Sequence, residues 1–198
     1  MIDRVLKPAL QEAAGESPAV ALTGPRQSGK TTLARAAFPD HAYVSLEPLD
    51  TREFAASDPR GFLRTHASPV IFDEVQRAPG LFPYLQEEID RQPDPGRFVL
   101  TGSQHFGLSE AISQSHAGRI ALLNLLPLSL DELVRFGTRE DLWRVVWEGG
   151  YPRIHDRDLA AGAWLGDYLA TYVQRDVRQV LEVSNLDAFT TFVRLAAG

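Results

Sequence analysis

The sequence contains no cysteine. That absence excludes a disulfide scaffold, a thiolate metal site and a cysteine nucleophile, and it fits a reducing compartment. Lysine is almost missing as well: of the 20 basic residues, 18 are arginine, and the two lysines are Lys7 and Lys30. There is no surplus of positive charge, since 26 acidic residues leave the chain at −6. Residues 1–100 carry 11 basic and 14 acidic groups and residues 101–198 carry 9 and 12, so neither half is a basic module. Nucleic-acid binding driven by bulk charge is therefore disfavoured. Long apolar runs are missing too. The opening MIDRVLKPAL has a charge every few residues and no signal-peptide core, and the greasiest stretch, Ile120–Leu130, is far short of the roughly 20 residues a spanning helix needs. These absences lead us to expect a soluble, cytoplasmic chain with no membrane partner.

What is present is ordinary globular material. Hydrophobic residues make up 44% and charged residues 23% of 198 positions. A chain of this length buries about 70% of its unfolded surface, enough for one full domain and part of another. Apolar runs alternate with helical patterns. Ala19–Thr23, Ala42–Leu46, Val70–Phe72, Phe98–Thr101 and Ile120–Leu126 read as strands. Lys30–Ala37, Arg52–Arg64 with a break near Asp58–Pro59, Leu81–Arg91 and Leu108–Ser115 read as helices between them. Strand–helix alternation at this spacing argues for an α/β fold with a largely parallel sheet. After Pro127 the pattern turns helical. Ser129 and Glu132 have capping-box spacing, and Asp141–Trp147, Leu159–Val183 and Asp187–Ala197 follow. The expected division is an α/β core over residues 1–136 and a helical appendage over 137–198. The last helix lines up Phe189, Phe192, Val193 and Ala196 on one face. That stripe packs on the same chain, or the chain is a fragment or pairs with another subunit.

Gly24-Pro25-Arg26-Gln27-Ser28-Gly29-Lys30-Thr31 matches G-x-x-x-x-G-K-[ST], with a chance probability on the order of one in a thousand in so lysine-poor a chain. The chemistry explains the spacing. A triphosphate needs many donors and little steric bulk, and glycines let backbone N–H groups turn inward around it. The helix that starts at Lys30 adds about half a positive charge at its N-terminus. Lys30 reaches phosphate oxygens, and Thr31 offers a hydroxyl to Mg²⁺. The candidate nucleotide-contact residues run from Gly24 through Pro25, Arg26, Gln27, Ser28, Gly29, Lys30 and Thr31 to Thr32.

Such a site needs a carboxylate at a strand end. Val70-Ile71-Phe72-Asp73-Glu74 supplies two, at the sheet edge where ligands bind in open α/β folds. Asp73 is the candidate Mg²⁺ holder and Glu74 the candidate general base for an attacking water. Phe98–Thr101 leads into Gly102-Ser103-Gln104. A hydroxyl or amide there can sit beside the γ-phosphate; Ser103 is the first candidate, with Thr101 and Gln104 as alternatives. Arg119, just before the fifth strand, is either an arginine finger for the transition state or a cap on helix carbonyls.

Taken in order, TGPRQSGKTTL, VIFDEVQ, VLTGSQ, AGR and GGYP resemble the bacterial and archaeal AAA+-type ATPases of the DExx-containing group. In that family an ATPase module precedes a winged helix and a C-terminal domain of uncertain role. The resemblance covers nearly the whole chain. It implies a P-loop sheet ordered 5-1-4-3-2, flanked by helices and followed by a helical lid. It implies an arginine finger at Arg119 acting on a neighbouring subunit or conformer. It also implies a lid turn at Gly149-Gly150-Tyr151-Pro152 whose Pro152 packs near nucleotide. Tyr172 and Arg175-Asp176 look like family features to which no role attaches. The family's winged helix is not found before Gly198, so this chain resembles the ATPase portion.

The leading expectation is thus an Mg²⁺-dependent ATPase coupling nucleotide state to a conformational change or to assembly, with ATP and ADP as ligands, possible self-association and an unnamed protein partner. The alternative is a nucleotide-gated interaction module with little hydrolysis. A small-molecule kinase needs an arginine-rich lid that the sequence does not offer, and a GTPase needs N-K-x-D, yet neither lysine follows an asparagine.

Overall fold

The computed structural model describes residues 3–103, 119–135 and 141–172, together with helical positions 189, 191, 192 and 195. It divides into two compact units, Met1–Gly137 and Thr138–Gly198.

The first unit opens with α1 (Lys7–Glu16), followed by β1 (Ala19–Thr23), α2 (Lys30–Ala37), β2 (Ala42–Ser45), α3 (Leu49–Ser57), α4 (Pro59–Thr65), β3 (Val70–Asp73), α5 (Phe82–Arg91), β4 (Phe98–Thr101), β5 (Ile120–Asn124) and α6 (Leu130–Val134). All strand pairings are parallel and the order across the sheet is β2-β3-β4-β1-β5. This is the P-loop arrangement that the resemblance implied.

The central strands β1, β3 and β4 are buried throughout, which is why they read as continuous apolar runs. The two-residue period still sorts their side chains. Ala19, Ala21, Val70, Phe72, Phe98 and Leu100 join Phe62, Leu85 and Ile89 on one face of the sheet. Val20 and Leu22 join Leu10, Ala14, Leu33 and Leu125 on the other, and Ile71 and Val99 pack with Ala34. Because every strand runs the same way, all C-terminal ends reach one edge, and Gly24, Glu74 and Gly102 leave the sheet there.

The break expected near Asp58–Pro59 is present: Asp58 ends α3 and caps α4, its carboxylate accepting from the Gly61 N–H at 2.8 Å. Other expectations are corrected, and α3 already begins at Leu49 rather than Arg52. Strand β5 stops at Asn124, because the Leu125 N–H bonds to the Thr23 carbonyl at 2.7 Å and Leu125 turns inward. The helix α1 was not expected; Pro8 fits its first turn, and Leu10 and Ala14 are its buried positions. The proposed helix Leu108–Ser115 lies outside the described residues.

In the second unit, α7 (Leu142–Glu148), α8 (Pro152–Asp156) and α9 (Ala161–Tyr172) are described. The helix expected from Leu159 thus begins at Ala161. Asp141 caps α7 through the Trp143 N–H. The GGYP turn starts α8, with Pro152 at its first position. Gly149 takes φ +66°, accessible to glycine without strain, and its carbonyl is 2.7 Å from His155 Nε2. Tyr151 packs against Trp164 and Tyr168, with centroid distances of 5.1 and 4.8 Å. Of the terminal stripe, Phe189 and Phe192 lie 6.4 Å apart and Phe192 is exposed; Val193 and Ala196 lie outside the described residues. Among the described residues no helix is long and apolar enough to cross a membrane.

Candidate functional site

The loop from Gly24 to Gly29 turns tightly because three of its residues take positive φ: Gly24 at +145°, Gln27 at +64° and Gly29 at +93°. Gly29 is the left-handed N-cap of α2, and the Leu33 N–H bonds its carbonyl at 2.9 Å. The first-turn N–H groups of α2 therefore face the cradle without a side-chain cap, as an anion site requires. Gly24 backs directly onto the chain after β5. A Cβ there would lie 2.2 Å from the Leu125 carbonyl oxygen. Backbone cannot yield as a flexible side chain does, so Gly24→Ala is expected to displace the loop. We expect a loss of about 1–3 kcal/mol in stability and at least about tenfold weaker nucleotide binding, a factor of ten being about 1.4 kcal/mol. Denaturant melts and a nucleotide titration of the same variant check both.

Lys30 is buried, with Nζ donating to the carbonyls of Gly24 at 3.1 Å and Pro25 at 2.8 Å. Burial pulls its ammonium below the usual lysine range; Glu74 and Asp73 pull the other way, and Arg26 reinforces the lowering. An ammonium in that setting gains from a phosphate's charge.

Asp73 ends β3 as the hub of three hydroxyls. Its Oδ1 accepts from Thr31 Oγ1 at 2.9 Å and from Thr101 Oγ1, and its Oδ2 accepts from Tyr43 Oη at 2.8 Å. Thr31 comes from α2, Thr101 from β4 and Tyr43 from β2. Burial and the bond to Asp73 push the Tyr43 phenol up to about 12, so at neutral pH it is a donor. Arg35 stacks over the same ring, 4.9 Å from its centroid. Mg²⁺ at nucleotide sites is held by one or two carboxylates together with phosphates and waters, not by an all-protein cage. The Thr31–Asp73 pair beside Lys30 and the open helix N-terminus is a donor set of that kind.

Glu74 leaves β3 in the left-handed region, φ +58° and ψ +41°, a conformation that costs a non-glycine residue about 1–2 kcal/mol. The kink starts the single 3-10 turn Val75–Arg77, which folds Gln76 back over Glu74. Gln76 Nε2 donates to Glu74 Oε2 at 2.6 Å and to Ser103 Oγ at 3.1 Å. Arg77 stands 3.9 Å from Glu74 and 3.8 Å from Glu47.

The structure thus brings Lys30, Thr31, Asp73, Glu74 and Ser103 to one edge of the sheet. Thr101 is engaged with Asp73, and Gln104 lies outside the described residues. Arg119 is not brought there. It precedes β5 beside Ala19, at the far edge of the sheet, where it pairs with Asp90 of α5. About five strand residues at ~3.3 Å each separate it from the loop of its own chain. Pro152 belongs to the second unit, and of Tyr172 only its place at the end of α9 is described; Arg175-Asp176 lies outside the described residues.

Sequence reading missed three contributors. Tyr43 carries no motif signal for its contact with Asp73, and Gln76, although it closes the VIFDEVQ run, has no role assigned to it from sequence. The third is Arg4, a buried arginine whose Nε donates to Glu132 Oε1 at 2.9 Å, Nη1 to the Ser28 carbonyl and Nη2 to the Leu126 carbonyl, both at 2.7 Å. It pins the underside of the phosphate loop to the chain after β5. Glu132 also accepts from the backbone N–H groups of Val5 at 2.7 Å and Ser129 at 2.9 Å. Burial alone raises a carboxyl, but these bonds outweigh it and hold Glu132 below the ordinary glutamate range.

Comparison with known proteins agrees with this geometry. A family model described as an AAA domain matches residues 16–134, and one described as a domain of unknown function matches residues 139–198. Uncharacterised proteins of Mycobacterium tuberculosis and Mycobacterium bovis are each 35% identical over 176 residues, covering 86% of this chain and 38% of theirs. The chain therefore spans well under half the length of these relatives. Among solved structures, a Walker-type ATPase of Pyrococcus abyssi superposes with TM-score 0.58 at 17% identity, over 92% of this chain and 75% of its own. A structure concerned with katanin self-assembly gives 0.50 at 20% identity, over 100% and 78%. At these identities the likeness is one of fold.

Proposed function

Because the chain belongs to the AAA domain family, we propose that its first unit binds ATP with Mg²⁺ at the β1–α2 loop and hydrolyses it. The observation that carries this reading is the convergence of Lys30, Thr31 and Asp73, with Thr31 Oγ1 2.9 Å from Asp73, at the open N-terminus of α2. Residues Gly24 to Thr32 hold the phosphates through backbone N–H groups and Lys30. Thr31 and Asp73 are the residues that would hold Mg²⁺. When bound, the ion supplies positive charge that neutralises the phosphates as the bond to the leaving group breaks.

Glu74 accepts a proton from the attacking water as the water oxygen bonds to the γ-phosphorus and the bond to the ADP oxygen breaks. It later returns that proton to the phosphate product or to solvent. Ser103 donates a hydrogen bond to a phosphate oxygen and keeps its proton. No covalent intermediate is needed; positioning and electrostatics carry the step. Arg119 serves the site of a neighbouring copy, since its own lies across the sheet. Katanin, whose fold this chain resembles, self-assembles, and a comparable association here gives Arg119 its role. The energy released drives a conformational change or assembly step in the cytoplasm.

The test is Mg-ATP turnover against protein concentration, in wild type and in Arg119→Ala. We expect specific activity to rise with concentration, and Arg119→Ala to lose about 10³-fold or more, the usual worth of an arginine finger. Adding Arg119→Ala subunits to a Glu74→Gln variant is expected to restore part of the activity, because the mixture holds sites with an intact base faced by an intact arginine. Concentration-independent turnover unaffected by Arg119→Ala sinks the neighbouring-copy assignment. Tight ATP binding without turnover at any concentration favours the nucleotide-gated interaction module instead.

A further inference from the structure

We propose that Gln76 is a positioning residue that couples Ser103 to Glu74, so that the base is aligned in response to what Ser103 touches. The inference rests on reading Glu74 as the base and Ser103 as the phosphate-facing hydroxyl.

The amide orientation follows from its partners. An ionised carboxylate only accepts, so the group 2.6 Å from Glu74 Oε2 is the NH₂ of Gln76. The same nitrogen lies 3.1 Å from Ser103 Oγ. Its two protons therefore serve two masters, one on β3's exit and one on β4's. Ser103 accepts in this contact, which leaves its own O–H proton as what it offers a phosphate oxygen. The result is a continuous chain from Ser103 through one amide to the Glu74 carboxylate. A Ser103 hydroxyl that accepts from the amide while donating to a phosphate is polarised by both, and a shift of Ser103 toward a phosphate pulls on the group that orients the base.

The alternative holder of Glu74, Arg77, is 3.9 Å away, too far for a hydrogen bond. The cradle is untouched by Gln76, since Lys30, Thr31 and Asp73 have other partners. The backbone is also built for the contact. Glu74 accepts a left-handed conformation, and the 3-10 turn that follows is what brings Gln76 back over it.

The experiment compares Gln76→Leu, Gln76→Glu, Ser103→Ala and the Gln76→Leu/Ser103→Ala pair. Gln76→Leu is expected to lower kcat about 10- to 100-fold, as misplacement of a catalytic group does, with KM for ATP within about twofold. Gln76→Glu keeps the shape, loses the donor and is expected to lower kcat at least as much. In the pair, Ser103→Ala is expected to cost less than it does alone, because the link is already cut. Unchanged kcat in Gln76→Leu, or losses that multiply in full, overturns the coupling.

A readout free of catalysis separates this from failure of the ATPase reading. In the nucleotide-free protein, the Gln76 side-chain amide resonances, assigned by their disappearance in Gln76→Leu, are expected to shift in both Ser103→Ala and Glu74→Gln. If they move in neither, the link does not exist. If they move while wild type shows no turnover, the link stands and the ATPase reading falls.

Discussion

Glu74→Gln is expected to lower Mg-ATP turnover by about 10² to 10⁴-fold, the usual worth of a general base, while leaving ATP affinity within a few-fold of wild type. The two carboxylates at the end of β3 stand in different surroundings. Asp73 is buried among three hydroxyls and faces Thr31. Glu74 is turned away by its left-handed backbone and meets only Gln76 and Arg77 among its contacts described above. An amide at position 74 keeps the volume and still accepts from Gln76, but it has no lone pair basic enough to take a proton from water. Lys30, Thr31 and Asp73 are unaltered, so the nucleotide still binds. Phosphate release under single-turnover conditions, with affinity from equilibrium titration, measures the two quantities separately. Turnover within a few-fold of wild type removes Glu74 from the base role; loss of affinity as well moves it into the binding set.

The largest effect on stability is expected at Arg4. Its side chain and that of Glu132 are 9% and 4% exposed, so Arg4→Met leaves a carboxylate buried without its cation and strips donors from the Ser28 and Leu126 carbonyls. Breaking a buried pair by removing one partner costs about 3–5 kcal/mol. For a protein of this size that is roughly 6–20 °C in Tm, at about 2–4 °C per kcal/mol. The pH dependence has a definite sign. Glu132 is held below its unfolded value, so its contribution is complete above about pH 4.3, the unfolded glutamate pKa. It is lost as pH falls through the lower folded value. The gap between wild type and Arg4→Met is therefore expected to be widest near neutrality and to narrow below about pH 4. Urea titrations at pH 7 and pH 3.5 give both numbers; an equal gap at the two pH values refutes the ion-pair origin. Because Arg4 holds the Ser28 carbonyl, nucleotide affinity is expected to weaken in the same variant even well below its Tm.

What was legible in the sequence is what local chemistry forces to be contiguous. The cradle must be one short loop, because adjacent backbone N–H groups form it, and residues Gly24–Thr31 stand together in the chain. Asp73 and Glu74 are readable for the same reason: an apolar strand delivers them. The capping box at Ser129 and Glu132 is likewise three residues wide, and both of its bonds are present. Illegible were contacts fixed by which strands are neighbours. Tyr43 reaches Asp73 across 30 positions only because β2 lies beside β3. Gln76 meets Ser103 across 27 positions because β3 lies beside β4. Arg4 finds Glu132 across 128, and nothing in the run around Arg4 distinguishes it from a solvated arginine. Helix α1 escaped notice because its buried positions are few and small, Leu10 and Ala14. The strand Ile120–Leu126 was read too long because Leu125 and Leu126 are apolar like the residues before them, although they turn off the sheet.

The wall behind Gly24 has a consequence for the order of assembly during synthesis. The nine residues proposed to grip phosphate emerge early, yet the Leu125 carbonyl against which Gly24 closes and the Leu126 carbonyl that anchors Arg4 are about a hundred residues further on. A nascent chain that has reached only β4 holds the entire recognisable motif without the surface it folds against. Closing so long a loop carries an entropic cost, so the proposed nucleotide site is expected to be complete only after Leu125 and Leu126 have been made. An N-terminal fragment ending before Ile120 is expected to carry the signature and lack the proposed nucleotide binding.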